Sequence, residues 1–178
     1  AMQKHLPALA ADMIASRSPL HIHCLIERQH MQLGTSDKIN SLSDDAGTFH
    51  LSVLPQPRII IIGAVHISQH LAPMARATGF DVTIIDPRTS FANDARFADT
   101  KLICDWPQDA LDCKMIDPDT AVITLTHDPK IDDEALKIIL RGKPFYIACL
   151  GSKKTHNARR ARLGGYGFSD ALIDQIHG

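Results

Sequence analysis

The stretch Arg58-Ile59-Ile60-Ile61-Ile62-Gly63-Ala64-Val65-His66-Ile67-Ser68 decides how this chain reads. Four consecutive β-branched isoleucines ending in glycine describe a strand buried on both faces that feeds a helix. That setting is where a dinucleotide fingerprint, G-x-G-x-x-G/A, belongs. Only its first glycine, Gly63, is present; Val65 takes the second position and Ser68 the third. The second glycine lets a pyrophosphate approach the backbone, and a valine side chain obstructs it. The loop therefore predicts a nucleotide-type fold and weakens NAD(P) as its ligand. Replacing Val65 by glycine is expected to raise affinity for a phosphate-bearing ligand.

Working outward, strands are predicted over 58–62, 81–85, 101–104, 120–125 and 145–150. Helices are predicted over about 66–78, 107–112, 132–141, 152–163 and 169–176. Strands alternating with helices imply a parallel sheet covered on both faces. The fold class is α/β, a Rossmann-like doubly wound parallel sheet. Residues 1–55 read differently. A helix over about 5–16 carries Leu6, Leu9, Met13 and Ile14 on one face. Strands follow over 20–27, at Met31–Gly34 and over 48–53, with a polar loop at Thr35–Gly47. Pro55-Gln56-Pro57 closes this stretch. The expected organisation is a small N-terminal α+β appendage, 1–55, followed by a Rossmann-like domain, 56–178.

Apolar content of 44% against 22% charged suits a soluble globular protein, and 178 residues suffice for a substantial core. A net charge of −1 offers no general attraction to nucleic acid or to an anionic membrane. No apolar run reaches membrane-spanning length. Ala1-Met2-Gln3-Lys4 lacks the start of a signal peptide. Cys24, Cys104, Cys113 and Cys149 are scattered without a C-x-x-C pair, so free and mostly buried thiols in a reducing cytoplasm are expected.

Ligands of an open parallel sheet bind beyond the carboxyl ends of its strands. Four polar clusters fall there: Gly63-Ala64-Val65-His66, Asp86-Pro87-Arg88, Thr126-His127-Asp128-Pro129 and Gly151-Ser152-Lys153-Lys154. Asp86 stands where a Rossmann acid reaches ribose hydroxyls, or is a turn residue before proline. Arg88 can neutralise a phosphate, and Asp86 would repel a 2′-phosphate. His66 opens a helix whose N–H groups face any bound anion. His127 beside Asp128 can do acid–base work, or the pair can form a capping turn. Gly151-Ser152-Lys153 can cradle a phosphate at a helix start. Arg159, Arg160 and Arg162 read as a solvated face. His66 with His70, and His21 with His23 and His50, read as ordinary surface or structural groups rather than metal ligands, so no metal site is assigned. No cysteine–histidine pair or G-x-S-x-G elbow marks a nucleophile, and catalytic residues stay unassigned.

The order I-I-I-I-G-A-V-H-I-S-Q-H-L-A, G-F-D-V-T-I-I-D-P-R, A-V-I-T-L-T-H-D-P and Y-I-A-C-L-G-S-K-K resembles the C-terminal Rossmann domain of the xanthine dehydrogenase accessory protein family, XdhC/CoxI type. The likeness runs from about Pro55 to Gly178. It implies a maturation factor that binds molybdenum cofactor (molybdopterin), assists its sulfuration and passes it to a xanthine-dehydrogenase-like or CO-dehydrogenase-like enzyme. Such a protein is an accessory chaperone rather than an enzyme. Its implied partners are a cofactor-sulfurating enzyme and the molybdoenzyme client subunit. Separately, the three short N-terminal strands leave sheet edges to cover, so a homodimer through them is expected. The cofactor-binding residues implied are Gly63, Val65, His66, Asp86, Arg88, Thr126, His127, Asp128, Gly151, Ser152 and Lys153. The family usually reads G-A-G-H where this chain has Gly63-Ala64-Val65-His66, and the glycine-rich G-G-C motif of its fuller members is absent here. The competing readings are an NAD(P)-dependent oxidoreductase and a non-catalytic partner-docking domain.

Overall fold

The computed structural model describes residues 6–25, 30–33, 41–43, 48–93 and 95–178. The chain divides into two compact units, Ala1–Pro55 and Gln56–Gly178. In the first, helix α1 (Leu6–Ala15) precedes strands β1 (Leu20–Leu25), β2 (His30–Leu33), β3 (Ser41–Ser43) and β4 (Thr48–Val53). They form an antiparallel sheet in the order β2-β1-β4-β3. Strand β3 lies in the stretch expected to be loop. Ser-Leu-Ser is too short and polar to show alternation, and backbone pairing with β4 makes it a strand. Ile14, expected on the apolar face of α1, is exposed. The registers set His23 opposite His50 and His21 opposite Ser52, where His21 Nδ1 and Ser52 Oγ share a 2.8 Å hydrogen bond. The predicted strand ends at Ile26-Glu27 and Gly34 lie outside the described residues.

The second unit is a six-stranded sheet. Its elements in chain order are β5 (Arg58–Ile62), α2 (His66–Ala77), β6 (Asp81–Ile85), β7 (Lys101–Ile103), α3 (Pro107–Ala110), β8 (Thr120–Thr124), α4 (Pro129–Ile139), β9 (Tyr146–Cys149), α5 (Lys153–Gly165), α6 (Asp170–Ile173) and β10 (Ile176–His177). Every pairing is parallel, and the strand order is β10-β9-β8-β5-β6-β7. Read from the other edge this is the doubly wound 3-2-1-4-5-6 order, with its reversal between β5 and β8.

Strand β5 earns its central place by composition. Successive side chains point to opposite faces, so its isoleucines serve two cores. Ile59 and Ile61 join Ala72, Ala75 and Phe97 beneath α2 and the 87–100 segment. Ile60 and Ile62 join Val122, Leu136, Ile139, Ile147 and Leu163 beneath α4 and α5. Helix α4 starts earlier than expected because Asp128 Oδ1 accepts from Lys130 N at 2.9 Å and Pro129 takes the first helical position. The helix predicted over 169–176 is cut short at Ile173. Ile176 instead enters the core as the sixth strand, paired with Ile147. Ile173 and Ile176 are spaced like a helix face, and that spacing cannot report a two-residue strand.

Of Cys104, Cys113 and Cys149, Cys149 is buried, Cys113 intermediate and Cys104 exposed. Among the described residues, no helix is long and apolar enough to cross a membrane.

Leu136 is fully buried where α4 meets the sheet. Leu136→Ala is expected to cost about 2–5 kcal/mol, seen as a lower urea midpoint at unchanged slope.

Candidate functional site

The parallel sheet brings the ends of β5, β6, β8 and β9 to one edge, and the four polar clusters stand along it. At β5 the backbone turns through Gly63 with φ of +115°, a conformation that L side chains rarely adopt. A Cβ there would lie 2.9 Å from Thr126 Cγ2. Gly63 therefore serves close packing of the β5 and β8 loops across the reversal point.

Asp86 ends β6 and is completely buried. Its Oδ2 accepts from Ala64 N at 2.8 Å and Arg88 Nη2 at 2.7 Å; its Oδ1 accepts from Arg88 N at 3.0 Å and Arg88 Nε at 2.8 Å. A carboxylate offers about four lone-pair positions, and four donors fill them. While these bonds hold, no position is left for a ribose hydroxyl. Burial pushes this carboxyl up, but the Arg88 side chain and the Arg88 and Ala64 amides more than offset it. It titrates below the usual aspartate range. Arg88 is half-buried, and its guanidinium also lies 4.3 Å from the centre of the Phe91 ring.

The α2 loop is closed from within. Ala64 N is held by Asp86, and Val65 N donates to Ser68 Oγ at 3.0 Å. Ser68 is buried and donates in turn to Gly63 O at 2.5 Å. Removing the Val65 side chain frees neither amide, so the gain expected from Val65→Gly loses its physical basis. His66 is exposed at the helix start, its ring edge-on to that of His70 with centres 4.9 Å apart. Arg96, which the sequence did not single out, ties the 87–100 segment to this loop. It donates to Ala64 O at 3.0 Å, Phe91 O at 2.8 Å and Gln69 Oε1 at 3.1 Å.

Beyond β8, Thr126 is buried. Its hydroxyl donates to Asp132 Oδ1 at 2.6 Å and accepts from Asp128 N at 3.1 Å. His127 is exposed and left-handed, with φ of +59°. Asp128 caps α4. Asp132 is buried on the inner face of α4, where burial pushes its carboxyl up against the opposing pull of the Thr126 hydroxyl and the Arg159 charge. The sequence reading gave Asp132 no role at the site. Its spacing to Ala135, Leu136 and Ile139, i to i+3, i+4 and i+7, marks the apolar stripe and was the missed signal.

Beyond β9, Ser152 is exposed and caps α5, its Oγ accepting from Thr155 N at 3.2 Å. Lys153 is exposed at the first position of that helix. The three arginines that follow do not share a solvated face. Arg160 pairs with Asp174 at 2.6 Å, and Arg162 forks onto Asp133 at 2.5 and 3.0 Å. Arg159 is buried, on the i, i+4 stripe between Thr155 and Leu163, and its Nη2 donates to Leu150 O at 3.2 Å. Burial pushes the Cys149 thiol up, so it is not a poised thiolate. No group of three or more metal-ligating side chains occurs among the described residues.

The XdhC Rossmann domain model matches residues 59–178. The chain is 32% identical over 128 residues to the molybdenum cofactor insertion chaperone PaoD of Escherichia coli (strain K12), covering 72% of this chain and 34% of that protein. It is 30% identical over 99 residues to a probable xanthine dehydrogenase subunit of Bacillus subtilis (strain 168), covering 55% and 30%. The chain thus spans about a third of the length of these curated relatives. A crystal structure of a xanthine dehydrogenase from Bacillus halodurans superposes with a TM-score of 0.71 at 22% identity, over 88% of this chain and 55% of that one, and shares the fold.

Asp86→Asn tests the carboxylate clamp. Because the folded group titrates below the unfolded one, its stabilisation is present above the unfolded value of about 4 and is lost as pH falls through the folded value. The variant is expected to lose about 1–3 kcal/mol at neutral pH, and the gap to the parent to close toward acid in urea titrations.

Proposed function

Since the chain belongs to the XdhC Rossmann-domain family, we propose that it is a molybdenum-cofactor binding and delivery factor for a molybdoenzyme of the xanthine dehydrogenase or CO dehydrogenase kind. The observation that carries the reading is the 32% identity to a protein named as a molybdenum cofactor insertion chaperone, which extends across 72% of this chain. On this reading the cofactor is cargo. The residues that would hold it are those at the four strand ends: Gly63, Val65, His66, Asp86, Arg88, Thr126, His127, Asp128, Gly151, Ser152 and Lys153. Their chemistry suits an anionic, hydrogen-bonding cargo. Arg88 and Lys153 bring positive charge, His66 and His127 bring exposed imidazoles, and Ser152 brings a helix start. Asp86 and Thr126 act indirectly, by holding the loops that carry those groups. The protein works as an accessory factor rather than an enzyme. Its partners are a cofactor-sulfurating enzyme and the client subunit. Pairing of two copies through the N-terminal strands belongs to the same proposal. An NAD(P)-dependent oxidoreductase is favoured less, because the strand-end acid has its acceptors filled and the amides of Ala64 and Val65 are engaged.

Incubation with molybdopterin followed by gel filtration is expected to carry pterin fluorescence with the protein peak at micromolar protein. A pull-down against an apo molybdoenzyme subunit is expected to strengthen when the cofactor is present. Absence of pterin retention overturns the reading, while client capture without cofactor dependence points to a docking domain.

A further inference from the structure

The four clusters along the sheet edge are unequal as anion sites. At α2 the amide of Ala64 is engaged by Asp86 and that of Val65 by Ser68. At α5 no carboxylate among the described residues is bonded to the leading amides. The helix is 13 residues long and has no acid in its first turn. Its leading N–H groups lack intrahelical carbonyls, and only that of Thr155 is taken by the Ser152 cap. Beneath this turn lies Arg159, only 2% exposed. Its Nη2 donates to Leu150 O, but Nε and Nη1, both buried, have no hydrogen-bond partner in the protein. The neighbouring acids do not supply one. Asp132 is engaged by the Thr126 hydroxyl, and Asp133 by the fork of Arg162. A buried charged donor left unpaired is costly, and such groups in native proteins call for an explanation.

The turn above it gives one. A Cβ on Gly151 would lie 3.2 Å from Thr155 Cβ and 3.8 Å from Arg159 Nη2. The turn thus comes close to the guanidinium on its Nη2 side, where Leu150 O already accepts. Burial pushes His156 down, and the nearby Arg159 and Arg160 charges add to that.

We propose that the start of α5, backed by the buried guanidinium of Arg159, is a phosphate-monoester site, and that it takes the anionic end of the ligand in place of the α2 loop. The proposal deepens the cofactor-delivery reading and rests on it for the identity of the natural ligand. Arg159 is a positioning and charge-compensating residue here, while the amides of Lys153 and Lys154 and the exposed ammonium groups make the direct contacts.

Titration of the nitrogen-15-labelled protein with inorganic phosphate, at constant ionic strength with chloride as control, tests this directly. Saturable shifts are expected at the amides of residues 151–155 and at the Arg159 Nε–H resonance, with His66, Ile67 and Ser68 unmoved. Arg159→Met is expected to weaken binding about tenfold. If that variant does not fold, the Nε–H signal of the parent protein still decides the matter. Adenosine monophosphate is expected to bind no tighter than inorganic phosphate, since Asp86 has no acceptor left for ribose. Shifts at residues 66–68 instead of 151–155, or no saturable shift, overturn the proposal, and tighter nucleotide binding with shifts at Asp86 overturns the choice of ligand. Pterin retention with silent α5 amides rejects the phosphate site and keeps the delivery reading. A saturating α5 response without pterin retention does the opposite.

Discussion

One buried carboxylate organises the strand-end surface. Asp86 closes β6, holds the first amide of the β5–α2 loop and orients Arg88 through three further bonds. Burial pushes its carboxyl up, and these donors more than offset that, holding it below the usual aspartate range. From it, bonds, packing and, at the last step, charge link groups across the sheet. The loop it fixes packs through Gly63 on Thr126, Thr126 bonds Asp132, and Asp132 lies in the field of Arg159 under the β9–α5 turn. The polar floor therefore spans four strands, and its shape depends on an acid that is itself fully engaged.

This arrangement divides the work along the sheet edge. Around β5 and β6 the polar groups satisfy one another and act as scaffold. Around β9 the donors are less engaged, and the largest buried charge retains bonding capacity. A nucleotide-binding ancestor of this topology would place its phosphate contacts at the first loop. Here hydrogen bonds close that loop, Asp86 holding the amide of Ala64 and Ser68 bonding back to Gly63 and Val65.

Much of the fold was legible because its signals are local. The isoleucine run fixed β5 to the residue, and β6 followed from Val82, Ile84 and Ile85. Elements specified by pairing rather than pattern were not legible: β3 is a polar triplet and β10 two residues, each made a strand by its neighbour. At the site, residues in the loops were found from their position after strands. Arg96, Asp132 and Arg159 escaped because each lies away from a loop apex and acts through burial or long reach. Asp132 carried a readable sign, a charge on an apolar helical stripe, whereas Arg159 has only Leu163 as an apolar neighbour one turn away. Arg96 carried none, since its partners are backbone carbonyls and one glutamine brought together only by folding.

His127 holds a left-handed backbone without being glycine, at the rim of this surface. Such a conformation stores about 1 kcal/mol of strain that glycine or asparagine would relieve. Selection for thermal stability alone would therefore drift toward those residues at position 127 and discard the imidazole. Consensus or directed-evolution schemes that score only melting temperature would press on this position, and heat resistance in their products would be a poor guide to whether the role proposed for His127 survives.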